Sequence, residues 1–132
     1  MTRAVLADSG PLYAAADESD AYHDQALRQL QKLAKDGKEV VIAYPTLLEA
    51  YGLVLFRMGV EAALKWLSFM TDAAMVNPTQ DDYRQAFSKV RALPDQRITL
   101  VDATVAALAL RMHLDVWTYD HNFDVMRVPV WR

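Results

Sequence analysis

Cysteine is absent from this sequence of 132 residues. Its absence excludes disulfide-stapled folds, zinc sites built from thiolates and enzymes with a cysteine nucleophile. Glycine and proline are scarce, at 4 and 5 residues, and neither clusters in a way that would mark a linker. No apolar run approaches the ~20 residues that span a bilayer, and the short run after Arg3 ends at Asp8, so we expect no membrane segment and no signal peptide. We therefore expect a cytoplasmic protein.

An excess of positive charge is also missing. The 14 Lys and Arg residues face 17 Asp and Glu, which gives a net charge of −3 and excludes a basic tail that would announce nucleic-acid binding. Hydrophobic residues make up 53% of the chain, which excludes intrinsic disorder. A chain of this length is expected to fold as one domain, residues 1–132.

Short apolar runs alternate with segments of helical periodicity. The apolar runs predict strands at residues 4–7, 40–44, 74–76, 116–118 and, as a possible fifth, 128–131. The periodic segments predict helices at residues 22–33, 45–57, 60–70, 79–93 and 99–112, the last of which is apolar nearly all round and therefore central. Alternating strands and helices indicate an α/β fold in three layers, with a parallel sheet of about five strands.

Four carboxylates stand where predicted strands end or helices begin: Asp8, Glu49, Asp102 and Asp120. Asp124 follows one helical turn later and is a weaker candidate. Functional crevices of open parallel sheets lie outside the carboxyl ends of the strands, so these acids are expected to converge.

Helix capping is the competing interpretation of these acids. Thr46-x-x-Glu49 and Thr99-x-x-Asp102 match the capping-box pattern, and Thr79-x-x-Asp82 has the same form. Asp8 and Asp120 are also suitable N-cap residues. Spacing alone does not separate Asp82 from Asp102.

The apolar neighbours of Asp8 and Asp102 favour a functional role. Several poorly solvated carboxylates repel one another, so either their pKa values rise or a cation neutralises them. Oxygen ligands without cysteine suit Mg²⁺ or Mn²⁺, and such sites typically serve phosphoryl transfer. Arginine side chains are candidates to contact phosphate, although a solvated surface charge is the simpler interpretation; they are Arg3, Arg97, Arg111 and Arg127.

Four segments together resemble the PIN-domain family, in particular its small VapC-type toxins. Residues 5–9 read VLADS, an apolar strand ending in Asp and Ser, and residues 44–49 read YPTLLE, a strand running into an acidic helix. Residues 100–103 read LVDA, and residues 118–123 read TYDHNF, similar to the closing T-x-D-x-x-F motif of the family. Each segment is weak alone, but their order and spacing cover nearly the whole chain.

The resemblance implies an endoribonuclease that requires Mg²⁺ or Mn²⁺ and leaves a 3′-hydroxyl and a 5′-phosphate. It implies that Asp8, Glu49, Asp102 and Asp120 form the metal and catalytic site, with Ser9 and Thr118 orienting carboxylates or water. The resemblance gives Asp82 no place in this site, which leaves it as the cap of another helix. Asn122 stands where relatives often carry a further acid, which puts a fifth ligand in doubt. The family also implies an RNA substrate and a VapB-like antitoxin that places an Arg or Lys among the carboxylates.

The sequence leaves two alternatives undecided. The apolar stretch at residues 51–58, with Trp66 and Phe69, forms either a homodimer surface or part of the monomer core. The alternative to a nuclease is a non-catalytic PIN-like module that binds a partner protein. In that case the acids are caps, and Mg²⁺ changes neither the melting temperature nor RNA integrity.

Overall fold

The computed structural model describes residues 3–132 as alternating strands and helices. Four strands form a single sheet: β1 at Ala4–Ala7, β2 at Glu39–Ala43, β3 at Ala74–Val76 and β4 at Asp115–Trp117. Their order is β3-β2-β1-β4, and every neighbouring pair is parallel. The chain therefore steps outward from β1 to β3 and then crosses back to place β4 on the other side of β1.

Helices connect the strands and cover both faces of the sheet. They are α1 at Ser9–Ala16, α2 at His23–Lys35, α3 at Tyr44–Met58, α4 at Val60–Met70, α5 at Gln80–Ala92, α6 at Leu100–Met112 and α7 at Asn122–Val125. Gly59 separates α3 from α4 and takes a φ of 95°, a backbone conformation that glycine adopts without steric cost.

Alternating residues of β1 enter two separate cores, because successive side chains of a strand point to opposite faces. Val5 and Ala7 pack with α1–α4, whereas Leu6 packs with α5–α7. In α6, every residue from Asp102 to Ala109 is buried, as its apolar sequence predicts. These observations confirm the three-layer α/β fold with a parallel sheet.

Three local features differ from the sequence prediction. The possible fifth strand is reduced to one parallel bridge, between Val116 and Val130. Tyr44 begins α3 instead of ending β2. Helix α1 is absent from the predicted helices, and Gly10 and Pro11 are an unusual way to begin one. Proline is tolerated there because Pro11 lies in the first turn, where its missing N–H has no partner to lose.

The apolar stretch on α3 and α4 is divided between core and surface. Val54 and Trp66 are buried, whereas Phe56 is 91% exposed and Phe69 is 71% exposed. The other two tryptophans, Trp117 and Trp131, are buried. Within residues 3–132, no helix is both long enough and apolar enough to cross a bilayer.

The predicted capping box of Thr46 and Glu49 does not form. Helix α3 begins at Tyr44, with Ala43 as its N-cap, so Thr46 lies inside the helix instead of before it. The Thr46 side chain is fully buried, and among residues 3–132 its hydroxyl has no hydrogen-bond partner. Glu49 is therefore not engaged in a cap.

Thr46→Val is expected to stabilise the protein by about 1 kcal/mol. The change removes a buried hydroxyl that pays the cost of desolvation without gaining a hydrogen bond, and it keeps the branched shape of the side chain. Chemical denaturation of both proteins measures the difference in the free energy of unfolding. A loss of stability would show that the hydroxyl has a partner in solution, such as a bound water.

Candidate functional site

Four acidic side chains meet at the carboxyl edge of the sheet. Asp8 directly follows β1, and Asp120 follows the neighbouring strand β4, to which the Asp8 backbone N–H is hydrogen-bonded through the Trp117 carbonyl (2.9 Å). This is the point where the strand order reverses, the usual place for a functional crevice in such sheets. Glu49 on α3 and Asp102 in the first turn of α6 complete the group.

The tightest part of the group comprises Asp8, Glu49 and Asp102. One carboxylate oxygen from each lies within 4.8 Å of the other two. These three residues and Asp120 line a cavity of about 440 Å³, the carboxylate cavity, whose wall also includes Ser9, Gly10, Thr99, Tyr119 and His121.

Hydrogen bonds hold the first two of these carboxylates in place. Thr118 Oγ1 donates to Asp8 Oδ2 (2.8 Å), and the backbone N–H of Ser9 donates to Asp8 Oδ1 (2.9 Å). The Ser9 hydroxyl donates to Glu49 Oε1. Ser9 and Thr118 thus each donate a hydrogen bond to one of the four carboxylates. Asp8 also caps α1 through Ser9, so the capping interpretation is correct for this residue, and the cap uses one oxygen of its carboxylate.

Asp120 is held more loosely at the mouth of the cavity. Its backbone N–H is hydrogen-bonded to Thr118 Oγ1 (2.9 Å), and its Oδ1 accepts the Asn122 backbone N–H (2.9 Å). The side chain is 36% exposed. Across the described residues, its Oδ2 accepts no hydrogen bond, so this oxygen is available to solvent or to a ligand.

Burial and mutual repulsion disfavour the charged forms of two of the acids. Burial is the main cause that raises the pKa of Asp8 to about 6, and the charges of Glu49 and Asp120 add to it, although the Thr118 and Ser9 hydrogen bonds oppose the rise. Burial followed by the charges of Asp8, Asp120 and Glu49 raises the pKa of Asp102 to about 7. The cavity is therefore lined by carboxylates that repel one another.

A divalent cation fits this donor set. Within residues 3–132, neither Lys nor Arg lines the cavity, and the basic group in its wall is the His121 ring, whose Nδ1 lies 3.8 Å from Asp120 Oδ1. The ligands on offer are carboxylate oxygens, which hard cations such as Mg²⁺ and Mn²⁺ prefer. The hydrogen bonds from Ser9 and Thr118 resemble the outer-shell contacts that orient ligands around metals.

Asp82 and Asp102 share one sequence pattern but have different surroundings. Thr79 and Asp82 form a complete capping box, and the Arg111 guanidinium holds Asp82 through two hydrogen bonds of 2.8 and 3.0 Å. Arg111 lowers the pKa of Asp82 accordingly. Thr99 caps the Asp102 backbone N–H (3.1 Å), but the Asp102 carboxylate faces the carboxylate cavity. Of these two acids, only Asp102 has a carboxylate that is available to bind a ligand.

The remaining candidates lie at the margin or elsewhere. Asp124 is exposed, pairs with Arg132 (3.0 Å) and does not line the carboxylate cavity. The Asn122 amide is buried and donates to the Arg97 carbonyl (3.3 Å), so it does not replace the acid of relatives. Arg111 is paired with Asp82 and does not line the carboxylate cavity.

Three residues in the wall of the carboxylate cavity were not predicted as site residues from the sequence: Gly10, Thr99 and Tyr119. Thr99 appeared only as a cap, and Tyr119 only as a variable position inside the closing motif. A side chain at Gly10 would stand 4.0 Å from the Tyr119 ring, so this wall is assembled from residues more than a hundred positions apart. No local pattern signals such a contact.

Comparison with known proteins gives a family and a set of similar folds. A family model described as "PIN domain" matches residues 5–129. No match was found among curated protein sequences.

Solved structures share the fold over nearly their whole length. The Mycobacterium tuberculosis VapC20, described as a toxin that cleaves the sarcin–ricin loop, superposes with a TM-score of 0.85 at 22% identity, covering 97% of this chain and 98% of that one. VapBC2 from Rickettsia felis gives 0.77 at 15% identity, covering 98% and 97%. FitAcB from Neisseria gonorrhoeae gives 0.70 at 17% identity, covering 97% and 96%. At these identities the likeness concerns the fold.

Proposed function

This chain belongs to the PIN domain family, and from that premise we propose that it is a metal-dependent endoribonuclease of the VapC type, forming one domain over residues 1–132. The observation that carries the proposal is the group of Asp8, Glu49 and Asp102, whose oxygens lie within 4.8 Å of one another in a cavity that no Lys or Arg of residues 3–132 lines. Such a group gains most from a bound cation, and a site of this kind at a sheet edge suits hydrolysis of a phosphodiester.

In this proposal Asp8, Glu49 and Asp102 hold Mg²⁺, for which Mn²⁺ can substitute, and Asp120 completes the site through water. When bound, the cation stabilises charge on the phosphate oxygens and lowers the pKa of a coordinated water. The Ser9 and Thr118 hydrogen bonds keep the Glu49 and Asp8 carboxylates in fixed orientations before the substrate arrives.

The chain's own groups then support in-line hydrolysis without a covalent intermediate. The oxygen of an attacking water bonds to phosphorus as the bond to the 3′ oxygen breaks, and the leaving oxygen takes up a proton to give a 3′-hydroxyl and a 5′-phosphate. The free Oδ2 of Asp120, at the solvent-facing mouth, is placed to accept a proton from that water.

We further propose that the chain is the toxin of a toxin–antitoxin pair. Similar folds include a toxin–antitoxin complex from Klebsiella pneumoniae, with a TM-score of 0.61 at 16% identity. The unbalanced negative charge of the carboxylate cavity suits a VapB-like antitoxin that inserts an Arg or Lys there.

A homodimer is the quaternary state that we propose. The exposed face of α3 and α4 carries Phe56 and Phe69 together with Leu48, Val60 and Leu64, a set of large apolar side chains that water solvates poorly. Light scattering on the purified protein tests this proposal, and a monomer at all concentrations would contradict it.

The nuclease activity is tested with total RNA. Purified protein is incubated with RNA and Mg²⁺, with EDTA in a parallel reaction, and the new ends are mapped. We expect discrete cuts with 5′-phosphates that disappear with EDTA. RNA that stays intact with Mg²⁺ and Mn²⁺ would support the non-catalytic alternative, a PIN-like module that acts by binding a protein.

Thr118→Val is expected to move the acid limb of the pH–rate profile to higher pH. Thr118 donates a hydrogen bond that lowers the pKa of Asp8, so without it that pKa rises further above about 6. A larger fraction of Asp8 is then protonated near pH 6, and protons compete with the metal for its oxygens. Rates at subsaturating Mg²⁺ between pH 5.5 and pH 9 (roughly spanning the two raised pKa values) measure the shift.

Thr104→Val is the matched control for this variant. Thr104 is also buried and donates one hydrogen bond, to the Leu100 carbonyl (2.7 Å), but it contacts none of the site carboxylates. Its profile should keep the wild-type midpoint. An equal loss of rate at every pH in Thr118→Val would contradict the assigned role.

A further inference from the structure

A second cavity, of about 410 Å³, adjoins the carboxylate cavity. Tyr119, Asp120 and His121 line both of them, so the two cavities share a wall. The wall of the second cavity also includes Tyr22, Gln29 and Arg132. None of these three residues takes part in the chemistry proposed above.

An aromatic pair forms one side of the second cavity. The rings of Tyr22 and Tyr119 are stacked, with centroids 5.0 Å apart and planes inclined by 28°. Tyr119 is partly buried beside Gly10, but Tyr22 is 51% exposed. Tyr22 therefore presents a flat aromatic surface to solvent, supported from behind by a second ring.

Gln29 holds the Tyr119 ring of this aromatic pair in place, and the two N–H donors of its own side-chain amide are not used in doing so. Its Oε1 accepts the Trp117 indole N–H (2.8 Å) and the Tyr119 hydroxyl (2.6 Å). An indole N–H only donates, so the amide oxygen must face Trp117, and the Nε2 group points elsewhere. In the part of the chain described, residues 3–132, this –NH₂ group donates to no other residue.

We propose that the second cavity binds one unpaired nucleobase of the RNA substrate, next to the phosphate that is cleaved. Tyr22 stacks on the base, and the Gln29 Nε2 group donates to an acceptor on its edge. This inference rests on the proposed nuclease function and adds a specificity subsite to it. Single-stranded RNA is commonly bound by stacking of splayed bases on aromatic side chains, with hydrogen bonds to their edges.

Within residues 3–132, the wall of this cavity carries two carboxylates, Asp120 and Asp124, and one guanidinium, Arg132, that can contact a phosphate. Arg132 stands at its rim and pairs with Asp124 (3.0 Å), and both side chains are more than half exposed. An exposed pair of this kind contributes little stability, so a phosphate can take the place of Asp124 at low cost.

The test measures kcat/KM on a short single-stranded RNA that contains one cleavage site. Tyr22→Ala is expected to lower kcat/KM at least about fivefold, the lower end of what one base stack contributes. Tyr22→Phe, which keeps the ring, should restore most of the loss. Phe87→Ala removes an aromatic ring of similar exposure on α5, away from both cavities, and should cleave like the wild type.

Abasic substrates separate stacking from a structural effect of Tyr22. An abasic nucleotide is placed in turn at each position near the scissile phosphate. At one position the wild type should lose about as much rate as Tyr22→Ala loses on the intact RNA, and the variant should not respond to the missing base there. Equal sensitivity of both proteins at every position would overturn the subsite. A wild type that cleaves no RNA would overturn the nuclease proposal, and the subsite with it.

Discussion

Asp102→Asn should abolish RNA cleavage and stabilise the metal-free protein, whereas Asp82→Asn should preserve cleavage and destabilise it. Both residues are buried acids, and each lies three residues after a Thr that caps its helix. They differ in their partners. Asp82 is paired with Arg111, and Asp102 faces other carboxylates. Opposite effects of the same chemical change on stability follow from that difference.

The expected magnitudes come from the two environments. Asp82→Asn removes two charge-assisted hydrogen bonds, which costs about 1–3 kcal/mol, because half-exposed Arg111 keeps part of its hydration. Asp102→Asn removes a carboxylate whose pKa is raised from 3.8 to about 7. After a discount for solvent screening, its loss should stabilise the metal-free protein by about 1–3 kcal/mol at a pH above 7. Cleavage should fall at least about 100-fold.

Denaturant unfolding in EDTA and cleavage with saturating Mg²⁺ measure the two quantities on the same preparations. Asp82→Asn serves as the control for Asp102→Asn, because it makes the same substitution at the same helix position. Metal-dependent cleavage retained by Asp102→Asn would remove this acid from the mechanism. A loss of stability in Asp102→Asn would contradict the repulsion assigned to the carboxylate cavity.

Divalent metal should raise the melting temperature, and more so at pH 8 than at pH 5.5. The pKa values of Asp8 and Asp102 are higher in the folded protein, at about 6 and about 7, than the value of 3.8 expected when unfolded. At a pH between the unfolded-state and folded-state pKa values, the folded protein binds more protons than the unfolded protein. These two groups therefore lower the stability of the metal-free protein as pH rises from about 4 to above 7. Metal binding needs both groups ionised, so its stabilising effect grows over the same range.

At a metal concentration 100 times its Kd, the gain is about 2.7 kcal/mol, or about 8 °C for a domain of this size. Thermal unfolding with Mg²⁺, with Mn²⁺ and with NaCl at matched ionic strength measures it. Asp102→Asn should lose most of the metal response and part of the pH dependence. A metal response that is equal at both pH values, or that survives in Asp102→Asn, would exclude the site described here.

The main elements of the fold could be predicted because their signals are local. The apolar run of β1 and the periodicity of α4 give their bounds directly, at Ala4–Ala7 and Val60–Met70. Helix α1 could not be predicted, because its 8 residues are too few to be stable in isolation, and packing on α2 and α3 together with the Asp8 cap holds it. The fifth strand is a single bridge at Val130, since nothing in its composition indicates how many residues find a partner.

The candidate site residues could be predicted from the sequence, but their spacing could not show which acids are helix caps and which are free. Thr79-x-x-Asp82, Thr99-x-x-Asp102 and Thr46-x-x-Glu49 share one pattern and have three outcomes: a complete capping box, a half-used cap with a free acid, and no cap. Contacts between distant parts of the chain decide which of the three outcomes each pattern has. Arg111 comes from a different helix than Asp82, and α3 starts two residues before Thr46 because Tyr44 turns helical directly after β2.

Diffraction from crystals containing Mn²⁺, recorded where manganese scatters anomalously, tests the central claim most directly. We expect one anomalous peak within bonding distance of carboxylate oxygens of Asp8, Glu49 and Asp102, and its loss in crystals of Asp102→Asn. Manganese bound elsewhere on the protein, with these three side chains free of metal, would contradict it.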